Sequence, residues 1–294
     1  MLQVILNVTN SNYDMPWMGG MTKEAAGPNR DVKERLRRLA KGSQGHLVTT
    51  RRAAEILGLE PRAAHLALGR LLKAGWLERV KRGLFLILPL EADRKGAAIE
   101  DPWILARELF KPCYIGGWSA AEHWGLTEQI FRETFVVTSA YVRSSTQSHL
   151  GAAFHLVRAR SPRVASVSTL WRGQERIAVS DRERTLADAL AIPAWVGGVH
   201  HLIDMLRSYR SSPEWQPSRL LARVGEVSSG AAFRRLGYLA EAVLGERGEL
   251  VEACLARRTT GNVRLEPGAK GKGKLSTRWR LWINVDLLQG GSLS

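Results

Sequence analysis

Between residues 46 and 88 the hydrophobic period changes twice, and the order of those changes constrains the fold more than any other feature of the chain. His46-Leu47-Val48 reads as a short strand, after which Thr49 or Thr50 is placed to cap a helix running through Leu57. Gly58 suits the stop of that helix, and Leu59-Glu60-Pro61 forms a tight break. Pro61 falls at the first position of a second helix, where its missing N–H costs nothing. That helix is expected to reach about Lys73, with Ala64, Leu68, Leu71 and Leu72 on an inward stripe and Arg62, His65, Arg70 and Lys73 on the other side. Residues 76–80 and 84–88 then read as a hairpin turned at Lys81-Arg82-Gly83, with Gly83 supplying the positive φ of the turn. Preceded by an amphipathic helix at 31–41, this order predicts a winged helix-turn-helix. Each part alone is ordinary core architecture; the sum of two helices, a short break and a cationic hairpin tip points to DNA.

Charge supports the same direction. The 294 residues carry a formal net charge of +15, and the stretch from Arg30 to Lys95 holds sixteen Lys or Arg against seven Asp or Glu. Such a density attracts phosphate through counterion release, with a log-log salt slope near −0.9 per phosphate neutralised, but carries no base preference. A membrane surface is the rival partner, yet the segment lacks a long apolar face rimmed by Lys. The longest apolar run, 84–90, is far short of the ~18 residues of a transmembrane span, and no basic region precedes the apolar start. A cytoplasmic protein is expected. Cys113 and Cys254 stand alone and far apart, so neither a disulfide framework nor a thiolate zinc site is suggested.

The organisation reads as α+β: an N-terminal winged helix-turn-helix followed by a larger mixed α/β C-terminal domain. Residues 1–30, with four of the five Met, read as a loose leader; 31–90 is the DNA-binding domain, 91–101 a polar linker, and 102–294 the second domain. In the second domain Ser119-Ala120-Ala121-Glu122 has capping-box spacing, so a helix should start at Ser119 and end near Gly125. Strands are expected at 135–137, 154–157, 177–179 and 279–285, and helices at 102–110, after Asp181, and at about 198–210, 217–224 and 229–244. Residues 268–274 form a basic Gly-Lys loop.

No catalytic constellation emerges. Gly117-Trp118-Ser119-Ala120-Ala121 lacks the second glycine of a nucleophile elbow, and the Gly-Lys run at 271–276 lacks P-loop spacing. His200 and His201 are adjacent, so on a helix they point about 100° apart and do not chelate one metal from one face. Residues 115–134 look like the opening of a nucleotidyltransferase, but the following strand, Phe135-Val136-Val137, has none of the paired carboxylates that hold Mg²⁺ in that family. A non-enzyme without cofactor or metal is expected.

Four passages, in order, resemble the AbiEi family of antitoxins: residues 76–85, residues 114–120 with Gly125-Leu126, residues 179–190, and residues 234–239, with 279–285 similar to the family's last strand. The resemblance implies an autorepressor that binds double-stranded DNA at the operator of its own toxin-antitoxin operon. It also implies an antitoxin that counteracts a nucleotidyltransferase toxin through the C-terminal domain, without need of a stable complex. On this reading Thr49, Thr50, Arg51, Arg52, Arg62, His65, Arg70, Lys73, Lys81 and Arg82 contact DNA, with two copies on repeated half-sites. Asp181, Arg184, Thr185, Asp188, Arg234 and Arg235 lie in the resembling passages and are the candidates for antitoxin function. The residues themselves leave quieter roles open: Asp181 as a helix cap, Arg184 and Asp188 as an i, i+4 pair worth about a few tenths of a kcal/mol, and Arg234-Arg235 as an extension of the DNA footprint. Two other classes fit the same chain, a nucleic-acid or nucleotide enzyme targeted by a winged helix and a ligand-responsive transcription factor.

Overall fold

Leu36 and Leu39 on one face of helix α1 (Arg30–Gly42) begin the first core. The structure is a computed structural model that describes residues 30–43, 46–88, 101–159, 167–173, 175–227, 229–271 and 273–287. The leader reading of the first 29 residues and the linker reading of 91–100 lie outside the described residues.

After α1 come β1 (Leu47–Thr49), α2 (Thr50–Leu57), α3 (Pro61–Lys73), β2 (Leu77–Lys81) and β3 (Leu84–Ile87). The local signals act as expected. Thr49 is the cap of α2, its hydroxyl accepting from the backbone N–H of Arg52 at 3.1 Å, and Gly58 ends that helix in the left-handed conformation. Pro61 opens α3. The three strands form an antiparallel sheet in the order β1-β3-β2, and Phe85 and Ile87 of β3 join Leu36, Leu39, Leu68 and Trp76 in the core of the winged helix.

Strand β3 reads Leu-Phe-Leu-Ile without a polar residue because both of its faces are covered. With side chains alternating across a strand, Leu84 and Leu86 point away from the first core. They join Leu47 and a second cluster containing Ile104, Leu105 and Phe110 of α4 (Pro102–Phe110). The wing sheet is therefore the shared floor of two hydrophobic cores.

The rest of the chain adds β4 (Cys113–Ile115), α5 (Gly117–His123), β5 (Glu133–Thr138), β6 (Thr146–His149), β7 (Ala152–Arg158), β8 (Val167–Arg172) and β9 (Glu175–Ser180). These strands form one mixed sheet in the order β6-β7-β5-β4-β9-β8, parallel at β5/β7 and β4/β9 and antiparallel elsewhere. A helical layer follows, α6 (Arg182–Ala191), α7 (Val199–Ser211), α8 (Pro217–Val227), α9 (Gly230–Ala242) and α10 (Glu249–Ala256), closed by a small sheet of β10 (Val263–Arg264), β11 (Lys274–Ser276) and β12 (Leu281–Ile283). The architecture is α+β with an N-terminal winged helix and a larger mixed part.

Two expectations are corrected. Helix α5 starts two residues early, at Gly117, with Gly116 as its cap residue, so Ser119 lies inside the helix. Its hydroxyl accepts instead from the backbone N–H of Phe135 at 2.8 Å, tying α5 to β5. A capping box needs an extended backbone at its first residue, and Gly116 takes that conformation instead. The last strand is shorter than 279–285: residues 277–280 form a turn, with Arg280 at a φ of 48° and its N–H donating to the carbonyl of Thr277 at 3.4 Å, so the strand runs only from Leu281 to Ile283, while the Trp279 side chain is buried against Gly237 on α9, where a Cβ would come within 2.1 Å of the indole. Trp279 anchors the strand from outside it, donating its indole N–H to Glu241 at 2.7 Å.

Candidate nucleic-acid interface

Helix α3 buries Ala64, Ala67, Leu68 and Leu71 and leaves Arg62, His65, Leu66, Arg70 and Lys73 exposed. At 100° per residue, Arg62, His65, Leu66, Gly69 and Lys73 fall on one outward stripe with Arg70 at its edge. Leu66 is 57% exposed in the middle of these cations, and beside it a Cβ on Gly69 would meet nothing within 4 Å. A helical glycine costs up to about 1 kcal/mol against alanine, and here no packing inside the chain demands one. Such a stripe presents donors and an apolar spot to a groove: arginine and lysine to guanine edges or phosphates, leucine to a thymine methyl.

The other cations assigned to DNA are divided by the structure. Arg82 at the turn is exposed. Lys81 is exposed as well, but its ammonium is tied down, donating to the carbonyls of Glu108 and, at 3.1 Å, Leu109, the open carbonyls at the end of α4. Burial, and then the neighbouring Lys111, lower the Lys81 ammonium below its ordinary pKa. Thr49 spends its acceptor on the α2 cap, and Thr50 donates its backbone N–H to Gly83 at 3.0 Å, holding the start of α2 against the wing turn. Arg52 binds Glu55 at 3.1 Å and the carbonyl of Gly42 at 3.4 Å, whereas the Arg51 side chain is 92% exposed and only grazes Glu55 at 3.4 Å. These two residues border a cleft of about 310 Å³ whose far wall is Arg107, Glu108 and Lys111. Burial alone would raise the Glu108 carboxyl, but Lys111 at 2.9 Å and Arg107 at 2.8 Å hold it below the usual carboxylate value.

The six residues assigned to antitoxin function are all buried. Asp181 caps α6, accepting from the N–H of Arg184 at 2.7 Å, while its second oxygen takes Arg223 at 2.8 Å and Arg219 at 3.3 Å. Thr185 shares a hydroxyl bond of 2.8 Å with Ser180, and Arg184 pairs with Asp188 at 2.8 Å, with Tyr114 donating to the same carboxylate at 3.3 Å. Burial, opposed by Arg184, lifts Asp188 to about 6. The quieter roles read from the sequence for Asp181, Arg184 and Asp188 are thus realised, at a burial that sequence spacing did not reveal.

Arg235 donates to the carbonyls of Leu190, Ala191, Arg264 and Leu265 at 2.7, 3.0, 2.9 and 2.9 Å, joining the end of α6 to β10. At 3% exposure, with its donors spent inside, Arg235 does not extend a DNA footprint. Arg234, 1% exposed, uses only one nitrogen, toward Thr259 and Thr260. Sequence reading missed Tyr114, Arg219 and Arg223, which reach this cluster from 38 to 74 residues away.

The first part of the molecule is thus a winged helix with a cationic outward helix face. Residues 34–87 match a family model described as "Transcriptional regulator, AbiEi antitoxin". Over most of its length the chain is similar to the crystal structure of the RV2827C protein from Mycobacterium tuberculosis, at 20% identity and a TM-score of 0.57, covering 87% of this chain and 92% of that one. At that identity the similarity shows the fold. None of the curated proteins matches. Among the described residues no helix is long and apolar enough to cross a membrane.

Proposed function

We propose that this protein is a DNA-binding autorepressor and the antitoxin of a toxin-antitoxin operon, counteracting a nucleotidyltransferase toxin. The observation that carries the reading is the outward stripe of α3, Arg62, His65, Leu66 and Lys73, lying within the residues that match the regulator family. The helix enters the major groove; Arg62 and His65, at its start, face base edges, and Lys73 and Arg82 flank them on phosphates. Two copies on repeated half-sites would occlude the promoter. The deep burial of Asp181, Arg184, Thr185, Asp188 and Arg235 gives them a supporting role in neutralisation, holding the helical layer whose surface acts on the toxin.

Fluorescence anisotropy with a labelled duplex of the chain's own promoter, against a scrambled duplex at several salt concentrations, tests the DNA reading. Arg62→Ala should erase most of the preference for the promoter, a loss of about 1–3 kcal/mol of discrimination. Equal affinity of the unaltered protein for both duplexes would count against an operator-specific repressor. Rescue of growth when the chain is co-expressed with the nucleotidyltransferase encoded beside it tests the second half, and continued toxicity would refute it.

A further inference from the structure

Strand β8 is an edge of the mixed sheet, and among the described residues no strand lies on its outer side. Its inner side pairs with β9 in unbroken antiparallel register, from Val167 opposite Ser180 to Arg172 opposite Glu175. Two residues separate that last pair, with Gly173 at a φ of 62°, so Arg172 and Glu175 exchange both backbone bonds as the closing pair of a tight hairpin. Alternation from there directs Leu170 and Ser168 to β9 as well, and turns the N–H and C=O groups of Val167, Thr169 and Trp171 outward. Arg176 lies over the Trp171 ring at 4.8 Å from its centroid, as fits a facing pair that exchanges no backbone bonds, where side chains come closest. The same three residues share one face of the strand. Thr169 and Trp171 are exposed, and Trp171, at 59%, is the only exposed tryptophan among the described residues. None of the three is charged; Arg172 lies on the opposite face, over Trp103 at 4.6 Å.

Sheet edges are commonly protected by proline, a bulge, charge or a short strand, because an open row of amides is a template for another chain. The far edge of this sheet, β6, is short and polar, Thr-Gln-Ser-His. Strand β8 runs six residues with neither proline nor bulge. It is also complementary to itself. Set antiparallel to its own copy about a two-fold axis through Thr169, it places Thr169 opposite Thr169, and Val167 of each copy opposite Trp171 of the other. Threonine with threonine and aromatic with β-branched are favoured cross-strand pairs. At all three positions the backbone groups are the outward ones, so each pair exchanges two hydrogen bonds. We propose that β8 is a homodimer interface, in which two copies of the chain join edge to edge in this register and share one continuous sheet. The contact is isologous, so the assembly closes at two copies. The pairing goes beyond the DNA reading and does not depend on it.

The test is sedimentation equilibrium of the full chain without DNA, from micromolar to millimolar protein. The mass should rise from 32.6 kDa toward twice that value. Thr169→Lys and Thr169→Glu each set like charges face to face across the axis, and each should raise the dimer dissociation constant by about tenfold. An equimolar mixture of the two variants should recover the dimer, because only mixed pairs then bring opposite charges together. Thr169→Pro removes an outward N–H that makes no bond to β9, so it should abolish the dimer with little change in Tm. A mass of 32.6 kDa at every concentration would overturn the interface, and so would a dimer kept by all three variants. Failure of the mixture to associate more tightly than either charged variant alone would overturn the two-fold register at Thr169. Because Thr169 is exposed and lies outside the winged helix, loss of the dimer leaves the promoter-binding measurement as a separate result.

Discussion

Lys81, at the end of the outgoing wing strand, donates its ammonium to the carbonyl of Leu109, 28 residues away at the end of α4, at 3.1 Å. A cation that by position belongs to the tip of a DNA-binding hairpin thus satisfies the open end of a helix in the second part of the chain, where a positive charge also complements the helix dipole.

This division of labour predicts different salt behaviour for two neighbouring cations. Arg82→Ala should flatten the log-log salt slope of duplex binding by about 0.9, the share of one phosphate. Lys81→Met should leave the slope unchanged and lower the unfolding free energy by about 1 kcal/mol. The reverse pattern in salt-titrated anisotropy would reassign Lys81 to phosphate.

Leu86, 3% exposed, faces the α4 cluster from the underside of the wing. Leu86→Ala should cost about 2–5 kcal/mol in urea unfolding, as for a leucine cavity in a continuous core. A loss below about 0.5 kcal/mol would mean that the two parts of the chain do not share a packed core.

Gly69→Ala separates stability from recognition. With open space around the added methyl, the substitution should stabilise by about 0.5–1 kcal/mol through helix propensity and raise Tm by about 2–4 °C. Because the methyl would stand on the stripe that meets the groove, promoter affinity should fall in the same variant. A lower Tm would contradict the open space around Gly69, and a higher Tm with unaltered affinity would contradict the close approach of DNA at this position.

The buried carboxyl of Asp188, raised to about 6, gives a pH signature. Between the ordinary aspartate value of about 4 and about 6, the folded chain binds a proton that the unfolded chain has released, so this group's contribution to stability falls as pH rises through that window and is constant above it. The unaltered protein should therefore lose stability relative to Asp188→Asn between pH 5 and pH 7. A stability difference that is the same at both values would show that Asp188 titrates normally.

The winged helix was legible because its signals are local. The Thr49 cap, the Gly58 stop, Pro61 at a helix start and the stripe of Ala64, Leu68 and Leu71 each act within a turn or two of backbone. The Asp181 cap was readable for the same reason, and so was the outward position of Arg62, His65, Arg70 and Lys73 on α3. Local spacing misplaced the start of α5, where Ser119-x-x-Glu122 has the right pattern but Gly116 holds the cap position.

What the sequence determined by itself is therefore the order of elements in the winged helix and the face that α3 turns outward, since hydrophobic period and terminal residues fix both; β4, β6, β8, α10, β10 and β11 were not read from it. Only the tertiary structure decided which cations remain free and which faces of the wing are covered. Lys81, Arg234 and Arg235 carry the same formal charge as Arg62, yet they lie against carbonyls 25 to 45 residues away, and β3 is apolar on both faces because α4 returns to cover the second. A formal charge count does not distinguish these cases: the availability of a guanidinium or ammonium depends on whether folding brings it acceptors, and those contacts are set by packing across the chain.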